Sequence, residues 1–210
     1  MTPIRAIVGC EYSGRVRDAL RARGIDAWSC DFEPCEADPT YHIQGDLLDI
    51  LDDGWDLGIF HPTCTYETNS GVCHLHTDAS RWPKLFDSMA FMRTLLDADI
   101  PHIAMENPIM HKYARALLGG RRPDQIVQPW MFGHTEQKAT GLWLKNLPKL
   151  KPTSNVKEEM MKLPDNERQR LHYLPPSPTR WKERSRTYQG IADAMADQWG
   201  DFLSMERIAA

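Results

Sequence analysis

Cys64 stands in Asp56-Leu57-Gly58-Ile59-Phe60-His61-Pro62-Thr63-Cys64, just past an apolar run, and Glu106 follows a second one, Ile103-Ala104-Met105. A thiol and a carboxylate at the carboxyl ends of two strands can converge over one crevice. In an open α/β sheet that edge is where ligands bind. The pair suits covalent attack on a flat heterocycle, the thiol adding to carbon and the carboxyl holding a ring nitrogen. Pro62 helps to fix the turn that presents the thiol. A free thiol titrates near about 8.5, so Cys64 needs a cation, a helix N-terminus or a proton acceptor to act at neutral pH. Glu106, between Met105 and Asn107, loses water and must either bind a partner or take up a proton. A protonated carboxyl there could donate to the N3 of a pyrimidine.

A second group of residues suggests a nucleoside-like cofactor. The strand Ile4–Cys10 leads into the polar turn Glu11-Tyr12-Ser13-Gly14 and then a helix from Arg15 to Arg23. Such a corner offers helix amides to a ligand. Glu11 would repel a triphosphate but could receive a cationic amino group. Asp31, 17 residues after Gly14 and at the end of the next strand, can accept ribose hydroxyls. Asp46, after a third strand, could accept an adenine amino group or cap the short helix Leu47–Leu51.

These residues must be positioned by alternating elements. Short strands are predicted at Asp26–Cys30, Tyr41–Gln44, Asp56–His61, His102–Met105, Gln125–Gln128 and Thr140–Leu144. Helices are predicted at Lys84–Leu96, Lys112–Leu118 and Gly190–Leu203, and a long polar loop over 63–80. The alternation argues for a single α/β domain over residues 1–210 with a doubly wound, mostly parallel sheet. The segment 146–185, broken by Pro175-Pro176-Ser177-Pro178, reads as a Pro/Lys/Arg-rich lobe, and 186–204 as a closing helix.

The 210 residues carry a formal charge of −4, so the chain has no global basic signature. Residues 138–186, however, hold 12 Lys/Arg against 5 Asp/Glu, whereas 1–137 hold 12 against 20. A basic segment on an acidic body suits a polyanion contacted on one side. Five cysteines without a CxxC pair fit free thiols in a cytoplasmic protein. His61, Cys64, Cys73, His74 and His76 match no standard zinc spacing, so no metal is expected. Neither a signal peptide nor a membrane span is expected.

Together these motifs resemble the C5-cytosine DNA methyltransferases, and more narrowly the short phage- and prophage-type members, over about residues 4–200. The resemblance implies the S-adenosylmethionine-dependent, Rossmann-like fold. Glu11, Tyr12, Ser13, Gly14, Asp31 and Asp46, with His61 and Pro62, would hold S-adenosylmethionine. Pro62-Thr63-Cys64 matches the nucleophile loop and Glu106-Asn107-Pro108 the Glu-Asn-Val motif, with Thr63 and Pro108 as departures. Lys138 and Thr140, in Gln137-Lys138-Ala139-Thr140, stand where basic side chains usually reach the target base. Ser185-Arg186-Thr187-Tyr188-Gln189-Gly190-Ile191-Ala192 loosely matches the closing motif, and Lys182-Glu183-Arg184 before it reads as surface. Cys64, Glu106, Lys138 and Thr140 are thus the catalytic set, and Thr63, Asn107, Lys145 and Lys149 the substrate contacts.

The chemistry implied is addition of Cys64 to C6 of a cytosine flipped out of DNA, which makes C5 nucleophilic toward a methyl donor. Three alternatives are a free pyrimidine nucleotide or variant one-carbon transfer as the reaction, an inactive nucleic-acid-binding relative, and a cysteine hydrolase using His61 or His74. About 40 residues between the last strand and the closing helix leave no space for a large target-recognition domain, so base-edge reading would be short. The sequence leaves oligomeric state open.

Overall fold

The computed structural model describes residues 2–209; Met1 and Ala210 lie outside it. Seven strands form one sheet: β1 (Arg5–Gly9), β2 (Asp26–Asp31), β3 (His42–Gln44), β4 (Leu57–Phe60), β5 (His102–Pro108), β6 (Gln125–Val127) and β7 (Thr140–Lys145). Their order is β3-β2-β1-β4-β5-β7-β6. The first five are parallel neighbours, and β7 runs antiparallel between β5 and β6. This is a doubly wound, mostly parallel sheet with one antiparallel strand inserted near its edge. The order reverses between β1 and β4, which opens a crevice at their carboxyl ends.

Burial on both faces explains the uninterrupted apolar strands. In β1, Ala6 and Val8 pack with helix α1 (Arg15–Ala22) and the closing helix. Ile7 packs with residues of the helix Arg81–Asp97 on the opposite face. The closing helix covers Gln189–Ala209 and buries Ile191, Met195, Trp199 and Leu203. No helix among the described residues is long and apolar enough to cross a membrane.

The elements differ from expectation where tertiary pairing or capping decides. The helix expected from Lys84 starts at Arg81, because Pro83 lies in the first turn, where no intrahelical N–H is needed. The short helix expected at Leu47–Leu51 is one 3₁₀ turn, Leu47–Asp49, with the Asp46 carboxylate accepting from the Leu48 amide. β5 continues three residues beyond Met105, because β7 pairs with it as far as Pro108↔Thr140.

The segment 63–80 is not all loop: it holds α2 (Asn69–Val72) and α3 (His74–Thr77), which precede α4 (Arg81–Asp97). After α5 (Lys112–Leu117) and the last strands, the Pro-rich lobe folds into α6 (Lys157–Lys162), α7 (Asp165–Arg168), α8 (Arg170–Tyr173) and α9 (Arg180–Ser185). Pro164 falls between α6 and α7, and Pro175, Pro176 and Pro178 between α8 and α9. The closing helix is α10 (Gln189–Ala209), six residues longer than expected at its end.

Candidate active site

The carboxyl end of β1 is strained. Cys10 adopts φ 57°, a left-handed conformation uncommon outside glycine. The bend turns Glu11 inward, where its carboxylate accepts from the Val16 amide at 2.7 Å and the Arg17 amide at 3.3 Å. Ser13 Oγ adds a third donor at 3.2 Å. Glu11 therefore caps α1 across the Gly14 turn and is 4% exposed. This corrects the expectation that the helix amides are open to a ligand and that Glu11 awaits an amino group. An anion already occupies the helix N-terminus, which disfavours a phosphate there.

Asp31 and Asp46 sit at the ends of β2 and before the 3₁₀ turn, as expected. Asp31 Oδ1 accepts from Glu33 N at 3.0 Å, and burial pushes its carboxyl up. Phe32, beside it, is 71% exposed, a flat apolar surface not singled out in the sequence. Asp46 Oδ1 is taken by the Leu48 amide.

Across the switch point, β4 delivers His61, Pro62, Thr63 and Cys64. The His61 amide continues the β1 ladder, donating to Gly9 O at 3.0 Å. The register Phe60↔Met105 sets the loop that carries Cys64 beside Glu106, since β5 runs on where β4 ends. Asn107, fully buried, ties the two together by donating to the Pro62 carbonyl at 3.4 Å. His61 Nδ1 lies 3.4 Å from Glu106 Oε2. Asn107 Oδ1 and His61 Nε2 are buried without a hydrogen-bond partner among the described residues.

Electrostatics bears on the two states the sequence left open for Glu106. Burial alone would raise the Glu106 carboxyl. The His61 hydrogen bond, the charges of Lys138 and His61, and the Thr140 hydroxyl outweigh it and hold Glu106 below the ordinary range. These partners favour the carboxylate form of Glu106 over the protonated donor. Cys64 is pushed up by burial, then by Glu106 and Glu67, and drawn back by Lys138 and Arg184. Among the other thiols, burial pushes Cys10 up to about 12 and Cys30 up to about 11. Cys64 is the thiol that lies between carboxylates and cations at the sheet edge.

Lys138 and Thr140 both bear on Glu106, and Lys138 also on Cys64. Lys138 Nζ is also anchored, donating to the Arg184 carbonyl at 3.0 Å. Thr63 is exposed at the mouth of the loop. Lys145 and Lys149 do not join the site. Because β7 is antiparallel, Lys145 pairs with Ile103 at the amino edge of β5, and its Nζ donates to Ala98 O at 2.9 Å. Lys149 follows Pro148, whose carbonyl accepts from Trp199 of α10 at 2.9 Å. Trp199 lies nine residues past Gly190, about 14 Å along the helix from its carboxyl-edge end.

Two supports escaped the sequence reading. Glu67, fully buried, accepts from Ser88 Oγ and from the Tyr66 amide. His111 bonds Tyr66 O at 2.8 Å through Nε2 and caps α5 through Nδ1. Both pin the loop that carries Cys64. The segment Lys182-Glu183-Arg184 is not merely surface, since α9 lies against Tyr12, whose hydroxyl donates to Lys182 O at 2.5 Å. The basic count over 138–186 was the only signal for it.

No protein-family model and no curated protein matches the chain. Among solved structures, it is similar to the methyltransferase EhMeth of Entamoeba histolytica, at 15% identity over 74% of this chain, with a TM-score of 0.47. It is similar to a candidate DNA modification methyltransferase encoded within an E. coli prophage, at 17% identity over 77% of this chain, with a TM-score of 0.45. It is also similar to the S. pombe Dnmt2 methyltransferase, at 14% identity over 95% of this chain and 66% of that one, with a TM-score of 0.46. The chain spans 58% and 56% of the length of the first two.

Proposed function

We propose that the protein is a methyltransferase acting at C5 of cytosine in DNA, through a covalent adduct on Cys64. The observation that carries this is the meeting of Cys64 with Glu106, His61, Lys138 and Thr140 at the switch point, beside the β1 turn. A thiol and an acid facing one crevice are what addition to a pyrimidine requires.

The residues of the first crevice fit S-adenosylmethionine. Glu11 already fills the anion position at α1, which favours a nucleoside cofactor without phosphate. Asp31 would take the ribose, Phe32 would lie on the adenine face, and Asp46 would meet its edge. Tyr12, Ser13, Gly14, His61 and Pro62 would line the remainder. When bound, the cofactor supplies an electrophilic methyl group.

The chain's own residues do the rest. Cys64 Sγ bonds to C6 of the ring, and the displaced electron pair moves toward C5. Glu106, as a carboxylate, accepts from the exocyclic amino group. Uracil or thymine would put a carbonyl there and be repelled, so the charge state favours cytosine. Lys138 offsets the negative charge that Cys64 acquires on losing its proton. C5 would then take the methyl group, the bond that held it passing to the donor sulfur as a lone pair, and loss of the C5 proton with elimination of the Cys64 thiolate would restore the aromatic ring. The elevated thiol means that activation belongs to the assembled complex, since added positive charge in the crevice favours the thiolate.

The test is nucleoside mass spectrometry of DNA incubated with protein and S-adenosylmethionine. 5-Methylcytosine is expected, and Cys64→Ser should abolish it while cofactor binding persists. An oligonucleotide with 5-fluorocytosine should remain bonded to Cys64, because fluorine cannot leave as a proton. Methylation by the serine variant, or a trapped adduct elsewhere, overturns the reading. Arg184 of α9, exposed and unpaired among the described residues, supports a polymer over a free nucleotide, because it offers a phosphate contact outside the crevice itself. Methylation of dCMP but not of DNA would select the nucleotide instead.

A further inference from the structure

α9 crosses the carboxyl edge of the sheet between the two crevices. On one side, Lys182 pairs with Glu33 at 2.9 Å and Arg186 with Glu36 at 2.7 Å. On the other, Lys138 holds the Arg184 carbonyl. The other cations in and just after this short helix are engaged. Arg180 donates to His172 O at 2.9 Å, Lys182 meets Glu33, and Arg186 meets Glu36 and Glu183. Arg184 differs. Its guanidinium makes no hydrogen bond or ion pair among the described residues, it is exposed, and its charge bears on Cys64.

Trp181 lies three residues before Arg184, on the same helix face. It is 47% exposed, and its ring is braced against Tyr12 at a centroid distance of 5.6 Å. Lys182 Nζ sits 5.2 Å from the indole centroid and further fixes it. An immobilised indole next to a free guanidinium, at the rim of the crevice holding Cys64, has a specific use. A flat base can stack on the ring while its phosphate meets the guanidinium. The surroundings carry Glu33, Glu36, Glu106 and Glu183, so a polyanion gains little there except at Arg184.

We propose that Trp181 and Arg184 form a subsite for the nucleotide next to the target cytosine, which selects an unpaired strand over a duplex. Stacking on Trp181 requires a base free of its neighbours, and a duplex would offer the indole only phosphate and sugar. The proposal rests on the reading that the crevice takes a cytosine within a polymer.

The experiment measures binding of a fluorescein-labelled 12-residue deoxyoligonucleotide of mixed pyrimidines, its duplex and its RNA counterpart, across a salt series. The single strand should bind more tightly than the duplex. Trp181→Ala should weaken it by roughly tenfold, and Trp181→Phe, which keeps a ring, should recover most of the loss. Arg184→Gln should weaken binding and lower the salt slope by about 0.7, the value for one phosphate on a single strand. Lys149→Gln serves as the unaffected control. RNA binding as tightly as DNA would place recognition on base and phosphate alone, and weaker RNA binding would add a sugar contact; both keep the subsite.

Wild-type affinity and slope in both variants would overturn the proposal, as would equal binding of single strand and duplex. Loss in Trp181→Phe as severe as in Trp181→Ala would make Trp181 structural and overturn it too. Adduct formation between the wild-type protein and an oligonucleotide with 5-fluorocytosine, in the presence of S-adenosylmethionine, separates the two readings. Adduct without an effect of either variant on the strand removes only the subsite. Variant-sensitive strand binding without adduct removes only the chemistry.

Discussion

Charge states decide what Cys64 and Glu106 can do. Sequence fixes neither, because the partners come from separate elements. Residue type and position after apolar runs were enough to place a thiol and an acid at neighbouring strand ends. That His61 and Lys138 would keep the acid ionised depends on side-chain directions from β4 and the β6–β7 connection. The same holds for Glu11, whose inward turn follows from the left-handed Cys10. One consequence is measurable. The rate of Cys64 alkylation by iodoacetamide rises with pH as the thiolate forms, and mass spectrometry of its peptide isolates it from the other four thiols. Glu106→Gln removes the negative charge that raises Cys64 most and should move this profile to lower pH. Lys138→Met removes a positive charge and should move it to higher pH. Profiles that coincide with the wild type would dissociate both groups from Cys64.

At the scale of elements, periodicity finds strands but not their direction, since alternation reads the same both ways. That is why Thr140–Leu144 was legible as a strand while Lys145 was carried to the wrong edge of the sheet. Nor does a polar run announce its anchors. Residues 63–80 read as a loop, yet Glu67 is buried at its base. Burial pushes the Glu67 carboxyl up to about 7. Its proton is retained in the folded state over a range where the unfolded chain has lost it. Stability from this group is therefore full below about pH 4.5 and falls as pH rises to about 7, by on the order of 3 kcal/mol. Glu67→Gln keeps a partner for Ser88 without the ionisation. It should flatten the fall in Tm between pH 5 and 8, and the variant should be the more stable at pH 8. An identical pH profile would mean that water reaches Glu67.

The docking of α10 makes a second prediction at the same scale. A Cβ on Gly190 would stand 2.0 Å from the Phe132 carbonyl oxygen, a backbone atom with little room to yield. Gly190 also donates its amide to His134 Nε2 at 3.0 Å, so the start of α10 is pressed onto the β6–β7 connection. Gly190→Ala should cost about 1–3 kcal/mol in a denaturant titration. Gly200→Ala, whose nearest neighbour is the end of the Ile25 side chain at 3.3 Å, should cost less. Equal losses would mean that the Phe132 contact is not tight.

Across the whole molecule, composition located the excess of cations but treated 138–186 as one surface. The fold divides it. Lys145 lies at the amino edge, Lys149 and Lys151 lie beside α10, and the cations of α9 lie at the carboxyl edge with Cys64. Local charge therefore says little about where a polyanion would sit until strand direction is known. The division can be tested with one variant, Lys145→Gln/Lys149→Gln/Lys151→Gln. If those lysines each met a phosphate, the slope of log affinity against log salt would lose about 2 for a single strand. The fold predicts a change near zero with affinity preserved, because a strand entering the crevice of Cys64 from the α9 rim runs along the opposite edge from Lys145. A loss of two or more in the slope would mean that the nucleic acid wraps around the sheet onto the α10 face, and the path over α9 would have to be abandoned.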